Sequence, residues 1–303
     1  MIQSPLNYTG GKYKLLPQIL PLFPTDIKTF VDLFCGGCNV GINVKADEHI
    51  YNDTNQYLLY LYNTLKNNDE NIVIEMVYDI IEKYGLSLVS KYGYDYYGCD
   101  SSAGLGSYNK DKFLKMRDDF NFHTNEDYYY YILLYVLIVY SFNNQIRFNR
   151  NGEFNLPVGK RDFNSKMQQK LLDFMKIIKK QNSSFTCIDF CEFDISSLTE
   201  QDFVYMDPPY LITCATYNEQ DGWNTDKEKQ LLKFIERLSN NGIRCALSNV
   251  LRSKGKENDI LLKWLNKNNG RYIVHQLNYS YANSNYHTKD KSDSSQEVLI
   301  TNY

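Results

Sequence analysis

Lys28-Thr29-Phe30-Val31-Asp32-Leu33-Phe34-Cys35-Gly36-Gly37-Cys38 begins with apolar and β-branched residues and closes on a glycine pair. The apolar run predicts a buried strand over 28–34, and the residues after the glycines predict a helix over 39–47. Strand, glycine turn and helix in succession form the nucleotide-binding unit of a doubly wound α/β sheet. There is no full G-x-G-x-x-G, which disfavours a dinucleotide. About twenty residues after Asp32, a second short strand, His49-Ile50-Tyr51-Asn52-Asp53, ends in an acid. A carboxylate there can accept both hydroxyls of a ribose, or cap a helix over 54–66.

The same pattern returns at Asp202-Phe203-Val204-Tyr205-Met206-Asp207, a short buried strand leading into Pro208-Pro209-Tyr210. Two prolines fix two φ angles and remove two donors, so this loop offers carbonyl oxygens in a stiff geometry. A residue before proline is held extended, which keeps Asp207 in line with its strand. With the flat ring of Tyr210, these acceptors suit a planar ligand carrying an amino group. Amides, cytosine and adenine all meet that description.

Upstream of both, Asn7-Tyr8-Thr9-Gly10-Gly11-Lys12 predicts a tight glycine turn with Lys12 opening an amphipathic segment over 13–20. This is either an anion-friendly corner or a plain helix entry. Further strands are expected over 185–190, 243–249, 272–279 and 297–301, with helices over 225–241 and 257–268. A polar loop expected to be mobile covers 281–295. An α/β sheet at both ends of the chain is thus interrupted by a mainly helical insertion. Its helices are expected over 71–84, 109–123, 128–140 and 164–181, and a Tyr/Gly/Ser-rich loop covers 92–107. Asn151-Gly152 between alternating runs is a hairpin signal. Arg147, Asn149, Arg150 and Asn155 on that ribbon are residue types that read base edges or grip phosphates, though a polar surface hairpin has the same composition.

At 303 residues the chain can bury a large core, and 23% charged with 43% hydrophobic residues is ordinary for a globular protein. The longest apolar run, around 132–139, is too short to span a bilayer, and the N-terminus has no signal-peptide pattern. Cytoplasmic placement is expected. The seven cysteines, an odd count, suit reduced thiols. Cys35-x-x-Cys38 and Cys187-x3-Cys191 lack a second pair of zinc-ribbon type, so they read as small buried hydrophobes and no metal is expected. Residues 141–180 carry nine Lys+Arg against Glu153, Asp162 and Asp173, a local +6 that leaves −9 for the remainder of a −3 chain. A basic segment on an acidic protein is a phosphate-binding face or a solvated helix.

Taken in order, Asn7 to Lys12, Asp32 to Gly37, Tyr51-Asn52-Asp53, Asp189-Phe190, Asp207 to Tyr210 and a closing Glu297-Val298-Leu299-Ile300 resemble the Dam-type, alpha-class DNA adenine-N6 methyltransferases over nearly the whole length. The resemblance implies a Rossmann-like methyltransferase sheet. Residues 1–62 and 182–303 would form the S-adenosylmethionine-binding catalytic domain, and 63–181 an inserted target-recognition domain. It implies S-adenosylmethionine as cofactor, held by Tyr8, Lys12, Asp32, Phe34, Gly36, Gly37, Asp53, Asp189, Phe190 and Asp207. Asp189 and Phe190 would meet the adenine edge and face. Tyr8 stands where the family frequently has tryptophan, and Cys38 where a smaller residue is common. Asp207, Pro208, Pro209 and Tyr210 would be catalytic. Phe142, Asn143, Arg147, Asn149, Arg150 and Asn155 would contact DNA, with Phe142 and Asn143 entering the duplex. The expected partner is double-stranded DNA, with a cognate restriction endonuclease in a restriction–modification role or none in an orphan or phage role, and a monomer in solution.

Two competing readings follow from the residues. Related Pro-Pro-Tyr loops serve RNA bases and protein glutamine, and a DNA-binding module could keep the fold without turnover. The hairpin and basic insertion favour duplex nucleic acid over the first. The intact Asp53, Asp207 and glycine loop weigh against the second.

Overall fold

The computed structural model describes residues 1–123, 125–212, 222–278 and 295–303. The loop expected over 281–295 lies outside these except for Ser295, as does residue 279 of the strand expected over 272–279. The strands are β1 (Thr29–Asp32), β2 (Glu48–Asn52), β3 (Ser183–Thr186), β4 (Phe203–Met206), β5 (Arg244–Ser253), β6 (Lys256–Glu257), β7 (Ile273–Leu277) and β8 (Gln296–Thr301). The α-helices among the described residues are α1 (Leu16–Ile19), α2 (Gln56–Asn67), α3 (Glu70–Tyr84), α4 (Val89–Tyr92), α5 (Gly106–Asn121), α6 (Tyr128–Tyr140), α7 (Ser165–Lys180), α8 (Thr225–Asn240) and α9 (Asp259–Lys267).

The chain divides into two compact units. A helical unit holds Met1–Gly11, Gly36–Ile42 and Asn55–Gln181; a sheet unit holds Lys12–Cys35, Asn43–Thr54 and Asn182–Tyr303. The division expected from the sequence put 1–11, 36–42 and 55–62 with the sheet, whereas here they cluster with the helices.

In the sheet unit the strand order is β3-β2-β1-β4-β5-β8-β7, with β6 paired to β5. The first five strands are mutually parallel, and β8 runs antiparallel between β5 and β7. This is the mixed α/β, Rossmann-like methyltransferase sheet that the sequence implied. Side chains alternate across it, as the two-residue period of a strand requires. Val31, Val204, Met206, Cys245 and Leu247 share one core cluster with Leu231, Phe234 and Leu238 of α8 and with Leu261 and Trp264 of α9. The alternate residues Phe30, Phe203 and Tyr205 meet the ring of Phe23. Burial on both faces explains why β1 and β4 read as continuous apolar runs. Asn224 caps α8 by accepting from the Asp226 and Lys227 amides, and Gly242, at φ +72°, ends the turn that follows it.

The helical unit is organised around α6. Every residue from Tyr130 to Tyr140 is buried, so a helix that is apolar all round sits at the centre and packs against α2, α3 and α5. In the sheet unit, the amphipathic segment expected over 13–20 is broken into α1 and two flanking 3-10 turns, Tyr13–Leu15 and Leu20–Leu22. Pro17 and Pro21 lack the donors a longer helix needs. The helix expected over 39–47 is only a 3-10 turn, Gly41–Asn43. Cys38 has φ +56°, which takes the chain out of helical register, and Asn39 Oδ1 accepts from Ser4 N at 3.0 Å. The loop expected over 92–107 to have no core is partly anchored: Tyr97 and Leu105 are buried. The cysteine expectation holds for the buried Cys35 and Cys38 but not for Cys187 and Cys191, which are exposed in the turn after β3.

Candidate active site

The sheet order reverses between β1 and β4: the chain leaves β1 for β2 on one side, and β4 lies on the other. Open α/β sheets bind ligands beyond the carboxyl ends of strands at such a reversal. Asp32 ends β1 in register with Tyr205 of β4, and Asp207 follows β4 directly. Leu33 N–H donates to the Tyr205 carbonyl at 3.0 Å, carrying the pairing past the strand end. Since Phe203 to Met206 are wholly buried, the backbone that presents Asp207 is rigid.

Four side chains converge there. The Tyr210 hydroxyl donates to Asp207 Oδ1 at 2.8 Å, and Lys12 Nζ lies 3.0 Å from Asp207 Oδ2. Glu297 of β8 places Oε1 3.3 Å from the same hydroxyl and 3.6 Å from the same ammonium. Lys12 Nζ also sits 5.0 Å from the Tyr210 ring centre. Lys12 and Glu297 are 4% and 3% exposed. An ammonium tolerates such burial only with anions around it. Of the two readings of this corner, an anion-friendly site or a plain helix entry, the structure shows Lys12 paired with the protein's own carboxylates, Asp207 and Glu297. Burial pushes the Asp207 carboxyl above the usual range, and Lys12 opposes that rise without cancelling it. Burial also raises the Glu297 carboxyl and takes the Tyr210 phenol well above its ordinary value.

Asn52, the buried last residue of β2, fixes the neighbouring strand ends. Its amide donates to the Leu33 and Ile188 carbonyls at 3.0 and 2.9 Å, and its oxygen accepts from Thr186 Oγ1 and Ile188 N at 2.9 and 3.1 Å. The strand expected over 185–190 therefore stops at Thr186, and Asp189 and Phe190 occupy the turn beyond. Asp189 Oδ2 pairs with Lys227 Nζ at 2.7 Å, and its Oδ1 accepts from Cys191 N at 2.9 Å. Burial pulls the Asp189 carboxyl up, but these partners outweigh it and hold it below its ordinary value. Phe34, Phe190 and Trp223 form an aromatic cluster with centroids 5.5 to 5.7 Å apart. Phe190 is 4% exposed, its ring also met by Phe234 and the Lys227 ammonium, so the ring expected to face an adenine is covered. Asp53 is not the helix cap: Asn55 Oδ1 accepts from Leu58 N, because α2 begins two residues later than expected.

Within the helical unit, the glycine motif packs on Tyr8. A Cβ at Gly36, which also has φ +43°, would lie 2.8 Å from Tyr8 Cε1, so glycine suits this position, and one at Gly37 would make a tight 3.0 Å contact with Tyr8 Cβ. Tyr8 itself begins a turn closed by Gly11 N to Tyr8 O at 3.1 Å, with Gly10 at φ +79°. Tyr62 OH donates to the Gly36 carbonyl at 2.8 Å and pins the loop.

Residues 8–283 match the D12 class N6 adenine-specific DNA methyltransferases. The chain belongs to that family. Modification methylase StsI of Streptococcus sanguinis is 42% identical, and type II methyltransferase M.FokI of Planomicrobium okeanokoites 44% identical, each over 100% of this chain and 43% of the relative. The chain thus spans less than half of either. A DNA adenine methylase of Serratia marcescens is 27% identical over 70% of this chain and 68% of its own length.

In this D12 class chain the residues expected at DNA lie in the helical unit. The predicted hairpin forms as an antiparallel ribbon with bonds from Gly159 N to Tyr140 O, Phe142 N to Pro157 O, Asn155 N to Arg147 O and Asn149 N to Glu153 O. Regular strands do not develop; only isolated bridges at Ser141–Val158 and Phe148–Phe154 do. Asn143 and Asn144, both at positive φ, break the ladder between them. Phe148 stacks on Tyr57 at 4.1 Å, and Asn121 bonds both backbone groups of the buried Phe154. Arg147 Nε donates to Asn155 Oδ1 at 2.7 Å, so two expected base readers hold each other across the ribbon. Asn149 is engaged inside the turn, accepting from Asn151 N and Glu153 N and donating to the Glu153 carboxylate. Phe142 is 50% exposed, and Arg150 is exposed. The Asn143 carbonyl accepts from Asn7 Nδ2 at 2.8 Å, and Gln145 Nε2 donates to Thr9 Oγ1 at 3.2 Å. Part of the basic charge of 141–180 is also taken up internally, since Lys179 pairs with Glu70 at 3.0 Å.

Two site residues escaped the sequence reading. Glu297 was seen only as the start of a closing motif, although an acid at the head of an apolar strand is itself a signal. Trp223, one of two tryptophans, stands just before the α8 cap, where a hydrophobic residue often packs back on its helix. No group of three or more His, Cys, Asp or Glu placed to hold a metal ion occurs among the described residues, and no described helix is long and apolar enough to cross a membrane.

Proposed function

We propose that this chain transfers a methyl group from S-adenosylmethionine to the exocyclic amino group of an adenine flipped out of duplex DNA at a specific site. The observation that carries the reading is the Asp207 cluster at the end of β4, where a rigid carboxylate 3.0 Å from Lys12 and 2.8 Å from Tyr210 borders the reversal in strand order. An adenine amine is a weak nucleophile because its lone pair is delocalised into the ring. Asp207 and the Pro208 carbonyl accept its two hydrogens and draw the nitrogen toward tetrahedral geometry. Tyr210 stacks on the base, and Pro209 keeps the loop stiff. Rate acceleration is then positioning and electrostatics, with the flip itself opposing by about a few kcal/mol.

The residues fit the cofactor. Carboxylates Asp53 and Asp189 follow β2 and β3, suited to ribose hydroxyls and an adenine edge, and the half-buried Phe34 and Trp223, backed by the covered Phe190, supply an aromatic wall. Tyr8, Lys12, Asp32, Gly36 and Gly37 complete the set. The bound cofactor supplies an electrophilic methyl on a sulfonium. We assign cofactor and chemistry to 1–62 and 182–303, and target recognition to 63–181 through Phe142, Asn143, Arg147, Asn149, Arg150 and Asn155. The relatives named as modification methylases support a restriction–modification role; a cognate endonuclease beside it and a cytoplasmic monomer are part of the same proposal.

The test is radiolabelled methyl transfer to duplex DNA, followed by digestion and identification of methyladenine. Wild type transfers label to adenine, and Asp207→Ala does not. Label in RNA or protein alone, or equal transfer by both proteins, overturns the reading.

A further inference from the structure

Both oxygens of Asp207 are already engaged: Oδ1 by the Tyr210 hydroxyl at 2.8 Å and Oδ2 by the Lys12 ammonium at 3.0 Å. Each oxygen can still accept a second donor, but an amine arriving at Oδ1 competes there with the Tyr210 hydroxyl and bonds best once that hydroxyl has moved off. Glu297 faces the same two donors, 3.3 Å from the hydroxyl and 3.6 Å from the ammonium. Its backbone is held between β5 and β7, opposite Val250 and Leu277, and its side chain is 3% exposed. A phenol carries one hydrogen and so donates to one carboxylate at a time. Tyr210 is half-buried, and its hydroxyl, pulled off Asp207, needs a second acceptor, because a donor left without one away from water is disfavoured.

We propose that Glu297 is a positioning residue that takes over the Tyr210 hydroxyl, and a larger share of Lys12, when the target amine arrives, so that Asp207 Oδ1 is released to accept from it. This rests on the reading of Asp207 as the acceptor of an adenine amine. Glu297 touches neither substrate nor cofactor; it acts through Tyr210 and Lys12. The hydroxyl moves from an acceptor at 2.8 Å to one at 3.3 Å, a rotation of the phenol C–O–H with little movement of the ring. Burial raises the carboxyl of Glu297 as well, so the acceptor role requires a pH at which it is ionised.

A double-mutant cycle with Tyr210→Phe tests this, since that variant keeps the ring and removes the hydroxyl. Glu297→Gln replaces a charged acceptor with a weaker neutral one of the same shape. We expect kcat for methyl transfer to fall about tenfold, with KM for DNA and cofactor within about twofold. In the Tyr210→Phe background the same substitution should change kcat by less than about twofold, because no hydroxyl needs a second acceptor. Glu297→Asp keeps the charge but withdraws it by one methylene, and should give a smaller loss that also vanishes with Tyr210→Phe. It serves if the glutamine variant does not fold. Equal losses in both backgrounds, or no loss in wild type, overturn the role of Glu297 while leaving the methyltransferase reading intact. Absence of methyladenine with wild type itself removes both.

Discussion

The sheet unit buries two clusters built around carboxylates, and they are satisfied in different ways. Glu228 of α8 is fully buried and accepts from Trp223 Nε1 at 2.6 Å, Asn258 Nδ2 at 2.8 Å and Asn249 Nδ2 at 3.3 Å. These donors are neutral and come from separate elements, so the group is held from three sides. Asp207 is instead held by one ammonium and one hydroxyl, both shared with Glu297. Fixed neutral donors lock a framework. A shared proton and a shared cation leave a carboxylate able to change partners, which is what a group that must receive a substrate hydrogen requires. Under the proposed function, the first cluster is architecture and the second is chemistry.

The contrast breaks most visibly at Asp207. Asp207→Asn turns one acceptor into a donor aimed at the amine, and kcat should fall by about a hundredfold or more while the protein stays folded. A variant that kept its kcat would place Asp207 with Glu228 as architecture. The same carboxyl predicts a pH effect. Its value in the folded protein lies above the ordinary 3.8 because of burial, so the acid limb of kcat/KM should lie above that value. The stability effect runs the other way. A raised carboxyl holds its proton more tightly when folded, so its contribution is greatest below the unfolded value and is lost as pH rises through the folded one. Asp202 has the opposite sign: burial raises it, but bonds from Thr199 and Thr29 win and lower it, so its contribution is lost on acidification. A kcat/KM acid limb that tracked unfolding would show that Asp207 titration is not what is being read.

A second break comes at Glu228. Glu228→Gln keeps the volume but presents an NH2 to an array of donors, leaving one unsatisfied at about 1–3 kcal/mol. The melting temperature should drop by several degrees, with kcat within about twofold once the protein is folded. Loss of turnover at unchanged melting temperature would sink the distinction between the two clusters.

The two clusters were not equally legible. Asp207 announces itself: an apolar strand, then an acid held extended by the two prolines after it. Glu228 looks in sequence like any acid in the first turn of a helix, where it would favour the dipole. Only the docking of α8 on the sheet reveals its three donors. Lys12 and Glu297 likewise show no mutual signal, since they lie near opposite ends of the chain and meet through strand order alone. β1, β4 and β5 were readable as short apolar runs, α7 and α8 by their amphipathic period, and α6 as a helix-length run apolar all round. The helix expected after Cys38 failed because a non-glycine residue adopted positive φ there. Asn149 and Arg147 are expected at DNA; within the chain Asn149 also closes the tight turn and Arg147 bonds Asn155 on the facing arm, contacts that the residue types alone do not reveal.

The smallest expected effect lies where the framework cluster touches the candidate cofactor wall. Trp223 donates to Glu228 through its indole nitrogen and packs on Phe34 and Phe190 with its ring. Trp223→Phe keeps most of the ring contact and drops the hydrogen bond, so the wall loses its tether. Aromatic contacts of this kind contribute about 0.5–1.5 kcal/mol, and weakening them should raise the S-adenosylhomocysteine Kd by about three- to tenfold in calorimetry. Turnover at saturating cofactor should stay near wild type, because the indole's contacts are with Glu228, Phe34 and Phe190. If kcat falls instead while Kd holds, the Glu228 framework reaches the reacting atoms, and the two carboxylates differ in degree only.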